Sequence, residues 1–124
     1  MFKKNYFKMI LLFGIIITSI LNGCDLFDNE TVLEGTWIGD TWIYEFNGSN
    51  FIIKYKNGTN RQKGTFSLNF TNTRYTGNAT HDWENSSWVS KTFTGGSCDI
   101  VITGNTFTFS NATWFTGSYT YTKQ

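Results

Sequence analysis

Proline is absent from the 124 residues, histidine occurs once and cysteine twice. With no proline, no stretch is barred from a sheet interior for want of a backbone donor. With one histidine and no cysteine cluster, the three or four ligands of a zinc site are not assembled, and neither a metal nor any other cofactor is expected. No glycine-rich loop leads into a helix, which removes support for nucleotide binding. From Gly35 onward no useful length shows helical spacing of apolar residues. Basic clustering is missing too: beyond residue 23, seven basic residues face nine acidic ones, so no nucleic acid partner is expected. What the chain has in quantity is threonine and aromatics, with 12 Phe, 6 Tyr and 5 Trp. These are the side chains that suit a pleated, half-buried surface.

The N-terminus is of a different kind. "MFKKNYFKM" carries Lys3, Lys4 and Lys8, and "ILLFGIIITSIL" from Ile10 to Leu21 follows without a charge. That run has the length of a signal-peptide core and is too short to span a bilayer comfortably, so residues 1–23 are expected to be an export signal. "LNGC", Leu21 to Cys24, resembles the lipobox of bacterial lipoproteins. In that family the peptide is cut before the cysteine, whose thiol and new amino group are acylated. The resemblance implies that Cys24 is the lipid-bearing first residue and that the membrane of a bacterial cell envelope, inner or outer, is the partner it enters. Each buried acyl methylene contributes about 0.8 kcal/mol to such anchoring. Cys98 then has no partner in the chain, which excludes a disulfide framework. "DLFDNETVLE", Asp25 to Glu34, reads as part of a tether over residues 24–34 in which Val32 and Leu33 begin to pack.

Residues 35–124 alternate with period 2 between turn signals. The expected segments are 35–38, 41–46, 51–56, 61–70, 74–83, 88–93, 98–103, 106–110 and 113–122. Short antiparallel strands of this number close most simply into an all-β, up-and-down barrel of about eight strands, which leaves no open edge. A two-residue loop at Gly39-Asp40 would set Trp37 opposite Trp42 and Tyr44 opposite Gly35. "NGSN" sets Phe46 opposite Phe51, Tyr44 opposite Ile53 and Trp42 opposite Tyr55. A two-residue Asn57-Gly58 loop sets Ile53 opposite Gln62 and Phe51 opposite Gly64. Three hairpins thus agree on one inner face. Beyond them, a connection from Phe70 to Tyr75 would turn Tyr75, Gly77, Ala79, His81 and Trp83 inward, with His81 adjacent to Gly64. Cys98 is expected inside as a small core residue, and Phe115, Gly117, Tyr119 and Tyr121 share a face. For 88–93 the pattern leaves open whether Trp88, or Val89 with Phe93, faces in.

"GTW" at Gly35 to Trp37, with "KGTFSLN", "ITGNTFTFS" and "GSYTYTK" further on, resembles the Gly-x-Trp signature and strand starts of lipocalins and bacterial lipocalin-like lipoproteins. The resemblance implies a barrel that binds a small apolar ligand without catalysing a reaction. Where that family packs an Arg on the Gly-x-Trp indole, this chain offers Lys123.

"HDWE", His81 to Glu84, is the one place where an imidazole and carboxylates cluster, and it reads as a barrel rim with solvated acids rather than as a catalytic pair. Asn-x-Ser/Thr triplets, as at Asn47, Asn57 and Asn111, are read as turn and strand composition rather than as glycan acceptors. Two functions remain. In one, Trp42, Tyr44, Tyr55, His81 and Trp83 wall a small-ligand site. In the other, the barrel is filled by its aromatics and contacts a protein or glycan partner, as an inhibitor or adhesin. Eight or more short strands over about 90 residues make a narrow barrel that its side chains just fill, and so many aromatics need a place inside, so a small or absent cavity is expected.

The lipid assignment is testable directly. Metabolic labelling with an acyl-chain probe is expected to mark the protein and to be lost in Cys24→Ser, whereas an unlabelled wild type would refute acylation.

Overall fold

Strand β2 (Trp42–Asn47) buries Tyr44 and Phe46 and turns Glu45 away, and β3 (Asn50–Tyr55) repeats the alternation with Phe51 and Ile53 inside. Lys54 meets Glu45 at 2.7 Å on the outer surface, so the polar half of the pattern is satisfied as well. The computed structural model describes residues 29–124; the leader, the lipobox and Cys24 lie outside the described residues. Within them the same two-residue period builds β1 (Gly35–Ile38), β4 (Asn60–Leu68), β5 (Arg74–Glu84), β6 (Ser87–Ser90), β7 (Gly96–Thr103), β8 (Thr106–Ser110) and β9 (Ser118–Lys123).

Eight of these nine strands close an antiparallel barrel in the order β1-β2-β3-β4-β5-β7-β8-β9, with β9 returning to β1 and β4 joining β5. The strand β6 stands outside the ring. Its residues pair only with His81 to Glu84, while β7 takes the other half of β5 from Arg74 to Gly77. β5 is therefore a long strand shared in succession between two neighbours, and the 88–93 segment does not contribute a full stave.

The registers of β2 with β3, and of β3 with β4 at Phe51–Gly64 and Ile53–Gln62, are those expected from the sequence. The first hairpin differs. Trp37 lies opposite Tyr44 and Gly35 opposite Phe46, because the chain turns through Gly39 to Trp42 with the Gly39 amide donating to the Trp42 carbonyl at 2.9 Å. Trp37 and Trp42 are thus not cross-strand partners. The cause lies at Gly39, where an added Cβ would stand 2.6 Å from the Tyr121 ring: the glycine makes room for an aromatic rather than forming a two-residue corner. The slip is by two residues, so every side chain keeps its face.

A second correction concerns Phe70. Strand β4 stops at Leu68, which pairs with Tyr75, and Phe70 is 81% exposed in the loop that follows. Asn69 organises that loop: its Oδ1 accepts the amides of Thr73 and Arg74, each at 2.8 Å, an Asx-type substitute for strand pairing. The last strand is also shorter than its pattern, since residues 111–117 form a loop and Phe115 and Gly117 lie in it.

The core is aromatic and sits towards one end. Phe107, Phe109 and Trp37 are fully buried, with Phe107 at 5.0 Å from Trp37 edge-on and 4.8 Å from Phe109. Phe46 meets Phe66 at 4.9 Å, and Tyr75 meets Phe109 at 4.7 Å. Offset and edge-on pairs of this kind add about 0.5–1.5 kcal/mol each beyond the area they bury. That end is sealed by a short 3-10 helix, Asn29–Leu33, whose Leu33 is 0% exposed. The outer part of the expected tether therefore belongs to the domain. Trp37 Nε1 donates to the Leu33 carbonyl at 2.7 Å, and Glu34 accepts the Gly48 amide at 2.9 Å, which fastens the helix to the neighbouring turn. Lys123 Nζ lies 5.5 Å from the centre of the Trp37 ring.

Closure between β4 and β5 depends on Gly64. A Cβ there would fall 2.1 Å from the Asn78 carbonyl oxygen and 2.7 Å from the Ala79 Cα, so two backbones meet where no side chain fits. Gly64→Ala is expected to lower the unfolding free energy by about 2–3 kcal/mol, as overpacked interiors do, read as a reduced midpoint in urea. An unchanged midpoint would contradict the close approach.

Candidate ligand cavity at the barrel mouth

Opposite the sealed end, the interior opens into a cavity of about 460 Å³. This size falls within the range of small-molecule sites. Trp42 and Tyr44 on β2 form one side of it, Tyr75 on β5 and Tyr121 on β9 another, and Trp114 and Phe115 from the 111–117 loop a third. Phe93 and Thr94 come from the segment between β6 and β7. Glycines let the rings lie flat against the wall. An added Cβ at Gly96 would stand 2.2 Å from the Trp114 indole, so that ring rests directly on backbone.

The five residues expected to wall a ligand site are not brought together. Trp42 and Tyr44 line the cavity. Tyr55 does not; its ring packs 5.3 Å from Trp42, and the residue is 44% exposed. His81 and Trp83 lie on the outer surface. The reason is a bulge in β5: Gly64 pairs with Ala79, but Lys63 pairs with His81, which leaves Thr80 as an extra residue. One extra residue reverses the two-residue alternation beyond it. Asp82 thereby shares the inner side with Gln62, whose Nε2 donates to it at 3.1 Å, and His81 goes out with Lys63. On that outer side His81 Nδ1 is 2.8 Å from the Thr80 hydroxyl, Trp83 meets Trp88 edge-on at 5.0 Å, and Lys63 caps Trp88 at 4.9 Å. Asp82 and Glu84 are both held by Lys91, the former at 3.3 Å. The contacts with Glu84 and then Asp82 hold the Lys91 ammonium above its usual range.

A second bulge supplies a residue that the alternation hides. Ile53 pairs with Gln62 but Lys54 pairs with Asn60, so Arg61 is extra and turns in beside Gln62. Its guanidinium carbon lies 4.3 Å from the centre of the Trp42 ring, a cation–π contact. The expected two-residue Asn57-Gly58 turn is in fact a three-residue loop with Gly58 at φ +86°, closed by Gly58 and Tyr55 amides at 2.9 Å each. Loop and bulge offset one another, which is why the register further along is the expected one. Period 2 alone puts Arg61 outside; only the left-handed glycine of the loop hints that the count is disturbed there.

Chemically the wall is a set of aromatic faces with a few neutral donors. Burial drives the Tyr44, Tyr75 and Tyr121 phenols well above their usual pKa, and each is raised further by a neighbouring phenol; the charge of Arg61 works weakly the other way at Tyr44. All three therefore stay protonated as hydroxyl donors. Cys98 is buried beneath them, and loss of water pushes its thiol up to about 12, the condition of a packing residue rather than a nucleophile. Among the described residues no group of three His, Cys, Asp or Glu is placed to hold a metal ion. Comparison of the chain with protein-family models, with curated proteins and with solved structures finds no match, so the reading of this cavity rests on its own geometry.

Proposed function

We propose that the protein is a lipid-anchored, lipocalin-like barrel of the bacterial envelope that binds a small ligand at its mouth and catalyses no reaction on it. The observation that carries this reading is the aromatic cavity of about 460 Å³ at one end of an otherwise packed barrel. A wall of rings around a few oriented donors is the usual make-up of a small-molecule site. The lipocalin-like part is supported by the closed eight-stranded ring and by Lys123 over the Trp37 indole, at the place the Gly-x-Trp resemblance assigns to a cation. Anchoring fits the same polarity. The described chain enters the barrel through the 3-10 helix at the sealed end, the end opposite the mouth. A barrel filled throughout describes the sealed half of this interior and not the half around Tyr44 and Trp114.

Binding is checked with the neutral fluorophore N-phenyl-1-naphthylamine on the chain expressed from residue 24 with Cys24→Ser. Wild type is expected to enhance the probe's emission saturably, and Trp42→Ala to weaken that binding about tenfold, as loss of a central aromatic contact does, in a domain that still unfolds cooperatively above the assay temperature. Absence of binding, together with a clean apo mass under native mass spectrometry, would refute the reading.

A further inference from the structure

Arg61 is the one charged side chain in the cavity wall. Its guanidinium stacks on Trp42 at 4.3 Å and makes no ion pair and no hydrogen bond with any described residue. The carboxylate on the inner side next to it, Asp82, is already occupied by Gln62 at 3.1 Å and Lys91 at 3.3 Å. Among the described residues the cation at the mouth is therefore uncompensated, with its five donors held in a fixed plane by the indole.

The floor adds a second polar feature. The hydroxyls of Tyr44, Tyr75 and Tyr121 belong to residues that are nearly covered, yet none hydrogen-bonds to a described residue and none is a buried, unpartnered atom, so each is open to the cavity. Beneath them the barrel is filled by Phe46, Phe66, Phe107 and Phe109, so the cavity ends there.

Resting on the reading of the cavity as a ligand site, we propose that its ligand class is a compact ring-bearing monoanion: a carboxylate on Arg61 at the mouth, with an aromatic body whose polar substituent reaches the tyrosine hydroxyls. The alternatives fit less well. A long acyl chain would push an apolar end against three phenols and strip them of water with nothing in return. A phosphate dianion carries two charges where the lining supplies one cation, and a cationic ligand meets Arg61 head-on. A ring carboxylate satisfies the guanidinium by two parallel hydrogen bonds, presents a face to Trp42 and Trp114, and reaches the floor with its far substituent.

The test uses the chain from residue 24 with Cys24→Ser, since residues 29–124 form a closed barrel with its own core. Three probes are titrated calorimetrically at neutral pH and low salt: 6-hydroxy-2-naphthoate, its neutral methyl ester, and laurate. The hydroxynaphthoate is expected to bind at least tenfold tighter than its ester, the range for a hydrogen-bonded charge, and tighter than laurate. Arg61→Gln is expected to abolish the preference for acid over ester, and a preference that persists in this variant would overturn the role of Arg61. Equal affinity for acid and ester in wild type would overturn the anionic class while sparing the cavity reading. Laurate binding more tightly than the hydroxynaphthoate would overturn the ring-bearing body, and failure of all three probes would overturn both proposals together.

Discussion

The hydrogen bond from the Trp37 indole to the Leu33 carbonyl holds the two ends of the design together. It joins the helix that plugs the barrel to the first strand of the wall, in a place that water does not reach. A bond of this kind contributes about 1 kcal/mol net, but leaving the carbonyl buried without a donor costs about 1–3 kcal/mol. The indole therefore cannot be replaced by a plain ring without leaving that carbonyl unpaired. Around it the other aromatics find their positions: Phe107 edge-on to the indole, Tyr121 stacked on Phe107, and Tyr44 across from Trp37 in the first hairpin. With that end plugged, the aromatic cavity opens at the opposite end.

What shapes the lining of that space is irregularity in two strands. Regular alternation would send Arg61 to the surface and His81 and Trp83 into the interior. The bulge at Arg61 brings a cation to the mouth, and the bulge at Thr80 removes the imidazole and an indole from it. Both lie at the end of the β4–β5 pair beyond Gly64, where the two backbones leave no room for a side chain. Each bulge re-aims the side chains that follow it, so two single extra residues set which groups line the cavity.

Much of the fold was legible from alternation and turn residues. The faces of β2 and β3 and their register follow from Tyr44, Phe46, Phe51 and Ile53 recurring at every second position around an Asn-Gly turn. The slip in the first hairpin did no harm to those faces, because it was by two. Features that rest on contacts distant in sequence were not legible: Gly39 serves Tyr121, 82 positions on, and no local pattern announces that. Nor does composition tell that β6 pairs outside the ring. For the site, Trp42 and Tyr44 were readable as inward aromatics before Gln62 was passed, whereas Arg61 was hidden and His81 misplaced by single extra residues. Alternation carries no memory across a bulge, so its error beyond Thr80 is complete rather than partial.

The central claim is that the interior has a sealed half organised by Trp37 and an open half lined by Trp42 and Trp114. Hydrogen–deuterium exchange of the five tryptophan indole N–H groups, followed by NMR on the apo domain, tests it most directly. The Trp37 indole is expected to exchange only as fast as the most protected core amides, through global opening, and the Trp42 and Trp114 indoles within the time of the first spectrum. A Trp37 indole that exchanges as fast as those two would contradict the account.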